Sequence, residues 1–225
     1  MQTPEVNTYV PIAEVKKNEM PALTWDEAWR NKSFRVKTIL GGMLLVALLA
    51  LFPLFFSYVE KRQGIQLNDF ILQQIPVADV SVITFIVIWS VSILLLIRCV
   101  QRADIFLLML WSFLFLCLAR VLTITLVPLS PPEGLIVLKD PLTSIFYGGA
   151  DKFITKDLFF SGHTSIQFLI FLSVKKKLDK IITLTATIAV ACLVLIQHVH
   201  YTIDVLAAFI FTYIIYRMGK LVTGC

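Results

Sequence analysis

The sequence predicts an all-α membrane protein with six transmembrane helices and both termini in the cytoplasm, and three observations carry that expectation. The 225-residue chain is 58% hydrophobic, with a mean hydropathy of +0.83, far from an ordinary soluble domain. Uncharged stretches recur at 40–59, 80–97, 105–119, 158–174 and 181–199, and an apolar run follows at 205–216. Several approach or reach the roughly 20 residues that a helix needs to cross the hydrocarbon layer. Finally, 14 of the 20 Lys and Arg fall in four segments, 1–37, 98–103, 175–180 and 217–225. The other six are Lys61, Arg62, Arg120, Lys139, Lys152 and Lys156. The positive-inside rule then sets the four rich segments in the cytoplasm.

Three regions follow: a cytoplasmic N-terminal segment over 1–37, a six-span domain over 38–217 and a cytoplasmic tail over 218–225. Residues 1–22 are polar and carry Pro4, Pro11 and Pro21, a composition that predicts irregular chain. The stretch Thr24-Trp25-Asp26-Glu27 is a capping-box pattern, with Thr24 as N-cap and Glu27 at the third helical position. With Trp25, Trp29 and Phe34 among Arg and Lys, it predicts a short amphipathic helix at the inner membrane interface. The long charged leader before the first apolar run argues against a cleaved signal peptide.

The first span is expected over 39–58, kinked near Pro53, and the second over 77–97. The short basic turn 98–103 makes the third span, 104–127, return antiparallel. The connection 128–156 is the longest, rich in proline, with apolar patches at 135–138 and 145–147 that suggest packing over the outer face. Spans four, five and six, over 159–174, 181–196 and 199–216, are joined by short turns and are therefore neighbours. The cysteines, Cys99, Cys117, Cys192 and Cys225, form no CxxC pair and read as free thiols.

Two polar islands interrupt the apolar pattern. His200 and Asp204 lie four residues apart at the start of the last span, and Ser161-Gly-His-Thr164 opens the fourth. Ionisable groups in or beside a span are costly and point to function. On one helix face, Asp204 can accept from one nitrogen of His200 and leave the other free to attack or take a proton. The Lys/Arg topology independently sets His163, His200, Arg120 and Asp157 on the extracytoplasmic side at similar depth. Arg120 can hold phosphate oxygens through a planar fork of permanent charge. Ser161 and Gly162, near a helix N-terminus, offer backbone N–H groups to the same anion. His200 can attack phosphorus while His163 protonates the leaving oxygen and then serves as base.

Asp157 reads either as a helix N-cap or as a supporting residue of the site. Tyr201 is a further supporting candidate. His198 is a third supporting candidate, although it points away from the face of His200 and suits a packing or interfacial role better than ligation. No metal or other cofactor is expected, since nothing has the carboxylate-rich spacing of a magnesium site. The basic residues are scattered between spans, which argues against a nucleic-acid partner.

The segments Asp157-Leu-Phe-Phe-Ser-Gly-His-Thr164 and His198-Val-His-Tyr-Thr-Ile-Asp-Val205 resemble the sphingomyelin synthase family, itself related to the type 2 phosphatidic acid phosphatases. Arg120-Val-Leu-Thr123 and Pro128 are similar to that family's R-x-x-T…P segment. The resemblance implies a triad of His163, His200 and Asp204. It also implies transfer of a phospho-head-group, phosphocholine or phosphoethanolamine, from a glycerophospholipid to ceramide or a similar alcohol through a phosphohistidine.

Thr155-Lys156 replace the family's usual Cys-Gly. The K-x6-R-P of the lipid phosphatases is absent, and Leu193-Val194 stand where they carry S-R, which favours the synthase branch. The alternatives are a lipid phosphate phosphatase with water as acceptor and a transporter using the His/Asp groups as a relay. The expected partners are membrane phospholipid and ceramide-like lipids, with a homo-oligomer among the possible assemblies.

Overall fold

A computed structural model describes residues 23–138 and 154–224. The expectations for 1–22, for the apolar patch at 145–147 and for Cys225 lie outside the described residues. The fold is helical: α1 (Trp25–Arg30), α2 (Lys32–Lys61), α3 (Ser81–Gln101), α4 (Ala103–Leu126), α5 (Gly162–Ser173), α6 (Lys177–Ile196) and α7 (Thr202–Thr223). Five of these, α2, α3, α4, α6 and α7, are long and apolar enough to cross a membrane.

The predicted capping box forms. Thr24 N–H donates to Glu27 at 3.1 Å, and Glu27 N–H donates back to the Thr24 hydroxyl at 3.4 Å. The indole of Trp25 donates to the carbonyls of Val100 at 2.9 Å and Cys99 at 3.2 Å. It thereby satisfies acceptors that the end of α3 leaves over, and α1 is fastened to the α3–α4 corner. Helix α2 starts on the Asn31 side chain, which accepts from Ser33 N–H at 2.8 Å. It runs through Pro53 for 30 residues and exposes many apolar side chains along its length, such as Leu54 at 72%. Such a surface suits lipid.

Helix α5 differs from the expected span over 159–174. It has 12 residues, which rise only about 18 Å, well short of the roughly 30 Å of hydrocarbon. Its environment accounts for its composition. It packs against α3, α4, α6 and α7, and Thr164, Ser165, Gln167, Leu169 and Ile170 all have zero exposure. A helix hidden by its neighbours can carry polar side chains that a lipid-facing helix cannot.

The chain before α5 is anchored by Phe160, fully buried and stacked on Phe211 of α7 with centroids 4.8 Å apart. Burying a phenyl ring contributes about 2–3 kcal/mol, so the turn that follows has a fixed origin. The same end of the bundle is laced by connections. Ile65 N–H donates to Pro128 at 2.9 Å, and Ser130 N–H donates to Ile65 at 3.0 Å. The chains approach so closely that a Cβ at Gly64 would strike the Leu129 backbone, which requires glycine there.

The opposite end holds Arg98 against Asp179 and both Arg102 and Lys175 against Asp104. Cys99, Cys117 and Cys192 are free, as their spacing predicts.

Candidate active site

The site is built where α4 ends and α5 and α7 begin. Ser161 caps α5: its hydroxyl accepts from Thr164 N–H at 3.4 Å, and its carbonyl takes the Ser165 hydroxyl at 2.6 Å. Two other elements hold this turn. Ser161 N–H donates to the Asp204 carbonyl at 3.1 Å, and the Thr123 hydroxyl of α4 donates to Phe159 at 2.9 Å. The two polar islands of the sequence therefore meet directly, backbone to backbone.

Gly162 allows α4 to approach. A Cβ at this position would fall on the Arg120 guanidinium, so only glycine admits the arginine over the N-terminus of α5. Arg120 donates through Nη2 to Asp157, which makes Asp157 the arginine's partner rather than only a helix cap. Its Nε is buried and has no hydrogen-bond partner. Permanent positive charge, a helix N-terminus and an uncommitted donor converge at one place, an arrangement that favours an anion.

The rings of His163 and His200 lie 6.5 Å apart, centroid to centroid, at 63°. Phe85 of α3 meets His163 edge-on, also at 6.5 Å. Behind His200, Asp204 has zero exposure and lies 3.5 Å from Nδ1, Oδ2 to nitrogen. The same carboxylate oxygen accepts Tyr201 N–H at 3.0 Å. His200 is not on α7, contrary to the sequence expectation of one helix face, because the helix begins at Thr202. The pair meets because Asp204, in the first turn, reaches back over the helix start as capping carboxylates do.

His198 and Tyr201 serve the surrounding wall. The ring nitrogens of His198 lie 2.8 Å and 3.0 Å from the carbonyls of Glu133 and Ile75, and its backbone is left-handed at φ 54°. The Tyr201 hydroxyl donates to Ser130 at 2.9 Å and accepts from Leu67 N–H at 3.2 Å. Both line a cavity of about 230 Å³ with Asp69 and Glu133, and neither His163 nor His200 is in that lining. The predicted site residues thus divide in two groups. Arg120, Asp157, Ser161, Gly162, His163, His200 and Asp204 converge, whereas His198 and the Tyr201 hydroxyl turn toward the connections.

Sequence reasoning missed Asp69, whose carboxylate receives Thr202 N–H at 2.6 Å and Leu72 N–H at 3.0 Å. Burial raises this carboxyl, but the hydrogen bonds from Leu72 and Thr202 outweigh burial and hold it below the ordinary carboxylate range. Its signal is the Asp-x-x-Leu turn before Leu72, a local capping pattern in a connection that carries no other chemistry. Gln167 was missed too, because a single amide in an apolar run looks like filler.

A family model described as PAP2 superfamily C-terminal matches residues 156–221, the stretch that holds α5, α6, nearly all of α7 and both histidine islands. No curated protein and no solved structure matches. By that match this part of the chain is similar to the type 2 phosphatidic acid phosphatase superfamily. The site's own chemistry agrees: two facing imidazoles, one backed by a carboxylate, beside a guanidinium with a donor to spare.

Proposed function

We propose that this chain is a membrane-embedded lipid phosphotransferase, similar to the sphingomyelin synthases, that works by double displacement. The observation that carries this is the approach of His163 and His200 to 6.5 Å beside Arg120. That gap suits a phosphoryl group, which needs a contact of roughly 3 Å to the attacking nitrogen on one side and to the proton donor on the other.

In the first displacement, a His200 nitrogen forms a bond to phosphorus, and the bond from phosphorus to the diacylglycerol oxygen breaks. His163 delivers its proton to that oxygen. Arg120 and the backbone N–H of Gly162 balance the growing charge on the equatorial oxygens, the Ser161 N–H expected to join them being committed to the Asp204 carbonyl, and Asp204 stabilises the charged His200 ring. In the second displacement, His163 takes the proton from the acceptor hydroxyl, the acceptor oxygen bonds to phosphorus, and the phosphohistidine bond breaks. The donor is a glycerophospholipid with a phosphocholine or phosphoethanolamine head group, and the acceptor is ceramide or a similar alcohol. The basic residues gathered at the end away from the histidines support an extracytoplasmic active site.

The match to a phosphatase superfamily favours a second outcome of the same chemistry, with water as acceptor. Reconstitution with a head-group-labelled phospholipid, with and without ceramide, separates the two. Label on ceramide with wild type and not with His200→Ala supports the synthase. Release of the free phospho-head-group with no transfer supports hydrolysis. Neither product from folded protein rejects both.

A further inference from the structure

Gln167 has no place in the chemistry described so far, and its situation is costly. The residue has zero exposure, and neither Oε1 nor Nε2 has a hydrogen-bond partner. Buried polar groups are almost always paired. The other unpaired polar atoms inside the bundle include the Ser112 and Thr212 hydroxyls, which can rotate toward a carbonyl of their own helix. A carboxamide has no such local remedy.

Its register supplies a reason. Gln167 stands four residues after His163 on α5, so the two share a face, and helical side chains lean toward the N-terminus. Gln167 therefore leans toward the turn that carries His163. Asp204 stands four residues after His200, so each histidine has a polar, wholly buried residue at the same spacing. The His200–Asp204 arrangement is loose in the structure, with 3.5 Å between Nδ1 and Oδ2. Asp204 Oδ1 and His200 Nδ1 also lack hydrogen-bond partners, and pairs of this kind commonly tighten only around substrate.

We infer that Gln167 is the positioning residue of His163: its Oε1 accepts the ring N–H that faces away from the substrate. The difference between the two partners is chemical. A carboxylate behind His200 stabilises a ring that becomes positive when phosphorus is attached. A neutral carboxamide behind His163 fixes ring and tautomer without stabilising the charged form, so His163 can release its proton and recover it. Among the described residues, His200 and the Phe85 ring of α3 lie against His163, Arg120 of α4 lies over the neighbouring Gly162 and pairs with Asp157, and Asp204 stands behind His200.

This inference rests on the proposed phosphoryl transfer for its catalytic consequence but has a readout of its own. The chain has three histidines, so ring resonances of labelled protein in micelles can be assigned with His198→Asn and His200→Asn. Gln167→Glu is expected to move the His163 titration up by about one pH unit or more and leave His200 nearly still. Should that variant not fold, Gln167→Leu is expected to shift the His163 ring nitrogens away from the wild-type tautomer.

In turnover, Gln167→Leu is expected to lower kcat about 10-fold or more with little change in KM and no loss of thermal stability. A His163 titration and tautomer indifferent to both variants would overturn the inference, as would a Gln167→Leu enzyme with wild-type kcat. If wild type moves no head group, the functional proposal falls, and the titration alone decides the placement of Gln167.

Discussion

The two ends of the bundle each hold an arginine against an aspartate, and the pairs are built differently. At the basic end, Arg98 gives Nε to Asp179 at 2.6 Å, Nη2 to the other carboxylate oxygen at 2.9 Å and Nη1 to Gln101 at 2.7 Å. Every edge of the guanidinium is engaged. At the histidine end, Arg120 bonds Asp157 through Nη2 alone, and its Nε has no partner. A saturated fork ties α3 to α6 and has nothing to offer a ligand. A half-engaged fork over a helix N-terminus is held in position yet keeps donors for phosphate oxygens. On the proposed reading, completeness of hydrogen bonding separates a structural ion pair from one poised to bind.

The contrast can be broken most sharply at Arg120. Arg120→Lys keeps the charge but loses the planar fork, and we expect transfer to fall by about 10²–10³-fold with little change in the unfolding midpoint. Arg98→Lys should do the reverse. Activity per folded molecule should stay near wild type, while the midpoint drops by roughly 3–6 °C. Equal activity losses in the two variants, measured beside thermal unfolding in the same detergent, would erase the distinction.

Gly162→Ala sharpens the same point while leaving the arginine itself unsubstituted. Its methyl group must displace the guanidinium, so activity should fall toward that of Arg120→Lys, about 10²-fold. Head-group transfer and unfolding, compared across the two variants, check this expectation.

The smallest effect concerns Asp69, which caps α7 from the connection. Its carboxyl is held below the ordinary range, so its stabilising contribution is full above the unfolded value of about 4 and is lost as pH falls through the lowered folded value. Asp69→Asn should flatten that acid-side loss, and unfolding followed from neutral to acid pH would reveal it. A wild type and variant with parallel curves would show that the cap contributes nothing.

Much of this organisation was legible in the chain. The Thr24–Glu27 box announced α1, since its chemistry is local. The two histidine islands announced where the starts of α5 and α7 meet, because polar residues at a span's end have few structural reasons to be there. What the sequence could not show depended on three-dimensional neighbours. That α5 is short and buried among four helices is something no run of apolar residues reveals. His200 looked helical because a spacing of four suits a helix face, whereas a carboxylate reaching back over a helix start produces the same proximity. The intimacy of Gly162 with Arg120 joins residues 42 positions apart, and Asp69 acts on α7 from more than a hundred residues away.

The most direct measurement is to trap the covalent intermediate. Purified protein would be mixed with phospholipid carrying labelled phosphorus, without acceptor, quenched in base and mapped by mass spectrometry. The account predicts an acid-labile phosphoryl adduct on His200, absent from His200→Asn and long-lived in His163→Asn once formed. Label on His163 instead, or turnover with no adduct on either ring, would contradict it.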